Sequence, residues 1–238
     1  MTEKQQLEDW IAQSNHIVFF GGAGVSTESG IPDFRSVDGL YHQHYPWPPE
    51  EILSHHFFFS HTEDFYRFYR EKLIVHAKPN PAHLRLAALE QQGKLEAVIT
   101  QNIDGLHTAA GSKNVFELHG SIWRNHCLEC DHKVSLKEVE SSDTNIPHCP
   151  VCGGVIKPDV VLYEEGLDQQ VLASSIAALR KADLLIVGGT SLAVYPAAGL
   201  LQYAQPNHLV VINRDPTPAD READLVIRQP IGQVLAQG

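Results

Sequence analysis

The sequence predicts an α/β fold in which a doubly wound parallel sheet carries a second, smaller domain. Five short apolar runs are continuous rather than alternating in polarity, which is typical of strands buried on both faces of a parallel sheet. Helical patterns lie between several of these runs. Two stretches break this alternation, and we expect them to form the smaller domain together.

The expected elements follow one another in the order that such a sheet requires. A short amphipathic helix, with Leu7 and Ile11 at helical spacing, precedes the first apolar run. Two longer helices are expected between later runs, one over residues 80–91, where Asn80 can cap the first turn, and one over residues 168–181. The apolar runs cover residues 16–20, 95–99, 184–187, 209–212 and 225–227.

The two interrupting stretches differ in composition. Residues 37–77 are rich in aromatic side chains and histidines and fit a module of two or three helices, whereas residues 121–157 contain all four cysteines. We expect these two stretches to form the small domain. The remaining residues should form the large domain, and they are 1–36, 78–120 and 158–238.

The overall charge of the chain limits its partners. The 238 residues include 18 basic and 29 acidic side chains, which gives a net charge of −11 and disfavours binding to nucleic acid. No apolar run approaches the roughly 18 residues of a membrane span, and the amino terminus lacks the pattern of a signal peptide. We therefore expect a cytoplasmic monomer without membrane or nucleic-acid partners.

The cysteines form two C-x2-C pairs with the spacing of a zinc ribbon, and 18 residues separate the pairs. Each pair can close a tight turn that presents two thiolates, and two such turns complete a tetrahedron around zinc. Because all four ligands would come from protein, we predict one structural zinc ion; four unrelated buried cysteines are the less favoured alternative. His126 and His148 adjoin the pairs and are less favoured as ligands. The expected ligands are Cys127, Cys130, Cys149 and Cys152.

Glycine and polar residues follow the expected strands, where such a sheet binds ligands. The segment 22–28 follows the first run and should open a helix, with glycine N–H groups free to approach a pyrophosphate. By itself this signal is weak, because a tight turn without a ligand fits equally well. Gln101, Asn102 and Asp104 follow the second run, and ligands bind beyond the carboxyl ends of parallel strands. His119 is singled out by its position just before the stretch with the cysteines.

Several ungapped motifs follow one another along the chain. They are GAGVS at 22–26, GIPDFR at 30–35, TQNIDGLH at 100–107, HG at 119–120, the paired cysteines, KPDVVLY at 157–163, GTSL at 189–192 and VIN at 211–213. Together they resemble the sirtuin family of NAD-dependent protein deacylases, of the bacterial type with structural zinc. The resemblance implies a Rossmann-like large domain, a small domain made of a zinc ribbon and a helical module, and a substrate cleft between them.

The resemblance implies a role in NAD binding for many of these residues. The glycine loop and Arg35 would contact the pyrophosphate or the adjoining ribose, and Phe34 would shield the ribose C1′ region from water. The segment after the second strand would hold nicotinamide and its ribose, with Asp104 bonding the carboxamide, and the later strand ends and the tail would hold adenosine. The expected NAD-binding residues are Gly22, Ala23, Gly24, Thr27, Phe34, Arg35, Gln101, Asn102, Ile103, Asp104, His119, Gly189, Thr190, Ser191, Asn213 and Ile231.

The resemblance also implies the reaction, in which NAD is the co-substrate. The acyl-lysine carbonyl oxygen attacks C1′ as nicotinamide leaves, His119 is the general base on a ribose hydroxyl, and Asn102 is the second catalytic residue. The products are free lysine, nicotinamide and O-acetyl-ADP-ribose. The acyl-lysine protein or peptide would enter as a strand between residues 161–165 and 193–195. The expected contacts are Val161, Tyr163, Glu164 and Val194.

Two departures from the family pattern predict substrate preferences. Sirtuins usually have glycine where this chain has Glu164, and we predict that the added charge favours basic residues near the acylated lysine. Desuccinylating sirtuins carry a Tyr-x-x-Arg pair, but here Arg70 follows Tyr66 one position late. One helical step turns a side chain by about 100°. We therefore predict a neutral acyl group, with acetyl as the default and longer aliphatic chains possible.

Two other functions are alternatives to deacylation. ADP-ribosyl transfer to protein would use the same cleft without an acyl-lysine. A silent module that binds ADP-ribose or acyl-lysine, or a zinc-ribbon scaffold, would need no base. The presence of His119 together with Asn102 and Asp104 therefore favours an enzyme.

Overall fold

The structure is a computed structural model that describes residues 1–34, 39 and 45–236, and two β-sheets organise this part of the chain. The strands are β1 (Ile17–Gly21), β2 (Leu95–Thr100), β3 (Val115–Glu117), β4 (Gly120–Cys127), β5 (Lys133–Ser135), β6 (Ile156–Val160), β7 (Leu184–Gly188), β8 (His208–Ile212) and β9 (Leu225–Ile227). The large sheet is parallel, in the order β3-β2-β1-β7-β8-β9, and the small one is antiparallel, in the order β5-β4-β6. When the strands of the large sheet are numbered by themselves along the chain, their order is 3-2-1-4-5-6, which is the order of the Rossmann fold.

The helices confirm the pattern expected from the sequence. They are α1 (Glu3–Gln13), α2 (Pro49–Ile52), α3 (His55–Ser60), α4 (Thr62–Phe68), α5 (Pro81–Gln91), α6 (Leu106–Ala109), α7 (Leu136–Glu140), α8 (Gln169–Lys181) and α9 (Ile231–Leu235). Asn80 and Asp168 accept backbone N–H groups at the start of α5 and α8, as N-caps do. Within the described ranges, we find no helix with both the length and the apolar character needed to cross a membrane.

Both faces of the large sheet are covered. Along β1, Ile17 and Phe19 join the hydrophobic cluster that α1, α5 and α9 cover, whereas Val18 and Phe20 join the cluster that includes α8. All four side chains are fully buried. This double burial explains why the strands read as continuous apolar runs, and it confirms the doubly wound α/β fold.

A third hydrophobic cluster lies in the small domain. Aromatic side chains of α3 and α4 pack edge to face, as Phe58 does with Phe65, and the same cluster includes Cys127 and Cys149 of the cysteine-bearing segment. The helical module and the ribbon therefore share one core. This arrangement explains how two separate stretches of sequence build a single smaller unit.

One expectation from the sequence is wrong: the glycine segment does not open an α-helix. Two short 3-10 turns, Ala23–Val25 and Thr27–Ser29, stand there instead. Gly30, whose φ of 86° lies in the left-handed region, ends the second turn. Gly24 donates its N–H to Gly189 rather than to a preceding helical turn. A contact with the neighbouring strand end thus engages the Gly24 N–H, and the hydrogen bonds within the segment are those of 3-10 turns.

Candidate functional site

The glycine loop meets the loop after β7 at the point where the strand order reverses. The N–H of Gly22 donates to the carbonyl of Gly188 at 3.2 Å, and that of Gly24 donates to the carbonyl of Gly189 at 2.8 Å. A Cβ on Gly24 would lie 2.8 Å from the Cα of Gly189. Glycine is therefore required here because two backbones touch. Such a reversal point is where open α/β sheets bind their ligands.

Ser26 connects the glycine loop to the polar segment after β2. Its hydroxyl donates to Asp104 Oδ2 at 2.6 Å and accepts a hydrogen bond from Asn102 Nδ2 at 3.1 Å. The backbone N–H of Leu106 donates to the other oxygen of Asp104 at 2.8 Å. Ser26 is 1% exposed and Asn102 is 8% exposed. Ser26 was not among the predicted site residues, although it lies in the GAGVS motif of the glycine loop.

His119 stands beside this cluster with one ring nitrogen already engaged. Its Nδ1–H donates to the backbone carbonyl of Gln101 at 2.9 Å, which places the lone pair on Nε2. Burial lowers the pKa of His119, and the hydrogen bond to Gln101 offsets part of this shift. The ring is therefore neutral near pH 7 and able to accept a proton.

The remaining residues predicted to bind NAD occupy neighbouring strand ends. Thr190 follows β7 and accepts a hydrogen bond from Gln101 Nε2 at 3.0 Å, so that the ends of β2 and β7 are joined. Asn213 follows β8, and its amide donates to the carbonyl of Asp215 at 2.8 Å. Ser191 is exposed beside Thr190. The structure thus brings residues from widely separated parts of the sequence to one edge of the sheet.

Other predicted residues differ in their surroundings. Phe34 and Ile103 are half-buried and pack against the core of the small domain. Thr27 is exposed and donates its hydroxyl to the carbonyl of Gly24 at 3.0 Å, and Ala23 is half-buried at the start of the first 3-10 turn. The side chain of Ile231 is 4% exposed and belongs to the core of the large domain. Arg35 lies outside the described residues.

Asn80 has a second role that its capping position did not reveal. Its oxygen accepts the N–H of Ala82 at the start of α5, while its amide donates to the carbonyl of Val25 at 2.7 Å and to Ser29 Oγ at 3.0 Å. Asn80 is 6% exposed. One buried side chain therefore fixes a helix and the glycine loop together. This link depends on tertiary contact, so spacing in the sequence carried no signal for it.

The segment predicted to bind the peptide is joined to His119 by a backbone hydrogen bond. Val161 donates its N–H to the carbonyl of His119 at 3.0 Å, and Tyr163 exchanges backbone hydrogen bonds with residues 53 and 55, at 2.9 Å each. Leu162 is anchored in the small-domain core, whereas Leu192, just before Val194, is anchored in the core of the large sheet. The two segments predicted to flank a peptide therefore belong to different cores.

Two carboxylates support this segment. Glu165 accepts hydrogen bonds from Lys157 Nζ at 3.1 Å and from the Leu162 N–H at 3.0 Å, and it pairs with His55 at 2.9 Å. Glu164 has a φ of 76°, in the left-handed region, and accepts the N–H of His56 at 2.9 Å. That backbone conformation gives a physical reason for the glycine that sirtuins usually have at this position.

The four cysteines come together as predicted. Their sulfur atoms all lie within 4.8 Å of one another, and pairs approach to 3.3, 3.4 and 3.7 Å. Tetrahedral coordination at a Zn–S distance of about 2.3 Å gives sulfur separations of about 3.8 Å, so the set fits zinc. His126 pairs with Asp159, and His148 donates to the carbonyl of Gly153 at 3.0 Å, so both histidines are engaged elsewhere.

Known proteins resemble this chain over most of its length. The sequence profile of the Sir2 family matches residues 22–196. A protein of Clostridium acetobutylicum named NAD-dependent protein deacetylase is 60% identical over 233 residues, which are 97% of this chain and 95% of that protein.

Solved structures show the same likeness in three dimensions. A Sir2 variant with a deacetylated p53 peptide and 3′-O-acetyl ADP-ribose has a TM-score of 0.89 at 40% identity, over 98% of this chain and 96% of its own. A Sir2 protein with a p53 peptide and NAD+ has a TM-score of 0.85 at 41% identity, over 99% of this chain and 96% of its own. With a family match over most of its length and a relative of this similarity, the chain belongs to the Sir2 family.

Proposed function

We propose that the cleft at the carboxyl edge of the large sheet carries out the reaction of this NAD-dependent protein deacetylase, with His119 as its general base. One observation carries the assignment. The Nδ1–H of His119 is held by the Gln101 carbonyl, and the residue adjoins both the Ser26–Asn102–Asp104 cluster and the segment that begins at Val161.

In this proposal NAD supplies the electrophilic ribose carbon that accepts the acyl oxygen when nicotinamide leaves. Asn102 and Asp104, held by Ser26, present an amide and a carboxylate that can bind a carboxamide. The half-buried Phe34 excludes water from the reacting carbon. His119 then takes a proton from a ribose hydroxyl at Nε2, so that this oxygen can bond to the acyl carbon. The bond from that carbon to the lysine nitrogen breaks, the amine leaves with a proton, and one water, admitted after nicotinamide has left, completes O-acetyl-ADP-ribose.

The adenosine half would lie along the ends of β7 and β8. The close backbone contact at Gly189 and the exposed hydroxyl of Ser191 support this placement, and Asn213 follows the next strand. Because the side chain of Ile231 is buried in the core, we propose that it contacts adenine through its backbone. The acylated peptide would pair with residues 161–165 and 193–195.

The test is incubation with NAD and an acetyl-lysine peptide while nicotinamide release is followed. Deacetylation predicts release that depends on the peptide and yields O-acetyl-ADP-ribose. Release that leaves label on protein, without need of the peptide, would instead indicate ADP-ribosyl transfer. No release at all would indicate a binding module or a scaffold.

The described side chains support a neutral acyl group. Arg70 donates to the carbonyls of Asn145 at 3.1 Å and Val139 at 3.3 Å, so its guanidinium ties the helical module to the ribbon. Tyr66 is fully buried and donates its hydroxyl to the carbonyl of Ile156. Neither is positioned as the pair that binds an acyl carboxylate would be.

Succinylated peptides should therefore react slowly. An acyl carboxylate left without a cation in the cleft loses several kcal/mol, and we expect kcat/KM at least about 100-fold lower than for the acetylated peptide. The measurement compares acetyl, propionyl and succinyl forms of one peptide. The neutral propionyl form controls for acyl length, and a succinyl rate within about tenfold of acetyl would contradict the prediction.

From Glu164 we predict a preference for substrates with basic residues near the acylated lysine. One of its oxygens accepts the His56 N–H, and the exposed side chain lies on the segment predicted to bind the peptide. Peptides with arginine beside the acetyl-lysine should have kcat/KM about twofold to fivefold above peptides with glutamate, as expected for an exposed charge pair.

Glu164→Gln keeps a hydrogen-bond acceptor for His56 and should remove this difference. High salt should shrink it, because salt screens exposed charges. Equal kcat/KM for the two peptides with the unchanged protein would rule the preference out.

The domain limits and the cellular setting belong to the same proposal. Among the described residues, three separate hydrophobic clusters and two sheets support a division near the limits 1–36, 37–77, 78–120, 121–157 and 158–238. The net charge of −11 supports a protein that acts without nucleic acid. We propose that it works as a monomer in the cytoplasm.

A further inference from the structure

The indole of Trp123 contacts the segment assigned above to nicotinamide. Trp123 lies on β4, and its Nε1–H donates to the backbone carbonyl of Asp104 at 2.8 Å. The ring also covers the next residue, since a Cβ placed on Gly105 would lie 2.7 Å from Nε1. Gly105 has a φ of 71°, so both its backbone conformation and the indole require glycine there.

The hydrogen bond from Trp123 holds the backbone of Asp104, whose side chain is held by other residues. Ser26 Oγ and the Leu106 N–H hold the Asp104 carboxylate. Beside it, the N–H of Ile122 on β4 donates to the carbonyl of Ile103 at 3.0 Å. A binding carboxylate that shifts by about 1 Å can lose about 100-fold in rate, so backbone support at this point has a direct chemical value.

Trp123 also links this segment to the small domain. Its ring contacts His76 edge to face, with centroids 6.3 Å apart, and His76 Nε2 pairs with Glu140 on α7 at 2.7 Å. The indole is 48% exposed, so simple burial does not account for its position. The hydrogen bond to Asp104 and the contact with Gly105 account for the position of the indole.

We propose that Trp123 is a positioning residue for the nicotinamide end of NAD, acting through the backbone of Asp104. The inference rests on the proposed function, because it assumes that Asp104 binds the carboxamide. It predicts that loss of the indole N–H weakens binding of nicotinamide itself. The rest of the dinucleotide, which lies along other strand ends, should be unaffected.

The test uses Trp123→Phe, which keeps an aromatic ring over Gly105 but removes the donor. We expect KM for NAD and the inhibition constant of nicotinamide to rise together by about threefold to tenfold, as for one lost hydrogen bond. The dissociation constant of ADP-ribose, which lacks nicotinamide, and KM for the acetylated peptide should stay at the wild-type values. A general loosening of the structure would not separate NAD from ADP-ribose in this way.

Trp10→Phe is the matched control. Trp10 stacks on His208, at the start of β8, with ring centroids 4.0 Å apart, and therefore lies at the opposite edge of the sheet. The Trp10→Phe substitution should change neither KM for NAD, nor the inhibition constant of nicotinamide, nor the dissociation constant of ADP-ribose. An unchanged nicotinamide inhibition constant in Trp123→Phe, or an equal loss of ADP-ribose affinity, would overturn the inference. Dissociation constants of NAD and ADP-ribose from direct binding need no turnover, so their comparison would still decide the role of Trp123 if the wild-type protein released no nicotinamide.

Discussion

Replacing His119 by alanine is expected to lower kcat/KM for an acetylated peptide by about 10²- to 10⁴-fold, the range of a lost general base. The Gln101 carbonyl holds the Nδ1–H, so Nε2 is the nitrogen that receives the proton. In the proposed order of steps the base acts after nicotinamide has left. Exchange of labelled nicotinamide into NAD should therefore fall far less than deacetylation, and the two rates should be measured side by side.

His119→Asn separates base catalysis from structural support. An asparagine amide can still donate to Gln101 but cannot take up a proton, so this variant should be as inactive as alanine at an unchanged unfolding temperature. The pH profile gives a second check. Because burial lowers the pKa of His119 and only the neutral ring is a base, kcat/KM should fall on acidification with a midpoint below about 6.5. An active asparagine variant or a midpoint above that value would contradict the assignment.

The strands could be predicted because both faces of the large sheet are covered. Each of the five apolar runs became a strand within one or two residues, as residues 184–187 did in β7. The exception in the large sheet is β3, which the sequence did not predict. Val115 and Glu117 bound a strand of three residues at the edge of the sheet, and all three are only half-buried, so no apolar run marks it.

The site could be predicted only where local sequence decides the position of a side chain. His119 and the residues after β2 lie where strand ends must place them. The contacts of Ser26 and Trp123 with Asp104 join residues 78 and 19 positions apart, so no local pattern could show them. The glycine loop shows the same limit, because the N–H groups of Gly22 and Gly24 donate to Gly188 and Gly189 at the end of β7, which lie far away in the sequence.

Polarity alone was a poor guide to burial for some histidines. His83 and His107 are fully buried and their rings lie 4.6 Å apart, between α5 and α6. Burial lowers the pKa of His83 to about 4, while the charge of Asp104 opposes part of the shift. Burying a neutral imidazole costs far less free energy than burying a charged one. This behaviour depends on the neighbours that folding supplies, and residue type did not reveal it.

Removal of the zinc ion is expected to unfold the ribbon and abolish activity together. Structural zinc sites contribute apparent binding free energies of about 10–16 kcal/mol. Cys127 and Cys149 are also part of the core that the ribbon shares with the helical module, so the loss should spread to α3 and α4. A strong chelator should release one equivalent of zinc and lower the unfolding temperature by at least about 10 °C.

Cys130→Ser is the sharpest variant for this test, because Cys130 is exposed and lies outside the shared core. Its effect should therefore reflect loss of metal rather than loss of packing. His148→Ala is the control, beside the second cysteine pair of the same site: it removes a hydrogen bond to Gly153 and should retain zinc. Zinc content, unfolding temperature and deacetylation should fall together in the cysteine variant. Four protein sulfur ligands leave zinc no open coordination position for substrate or water, so the metal should take no part in the chemistry. Loss of activity at an unchanged unfolding temperature would contradict this structural role.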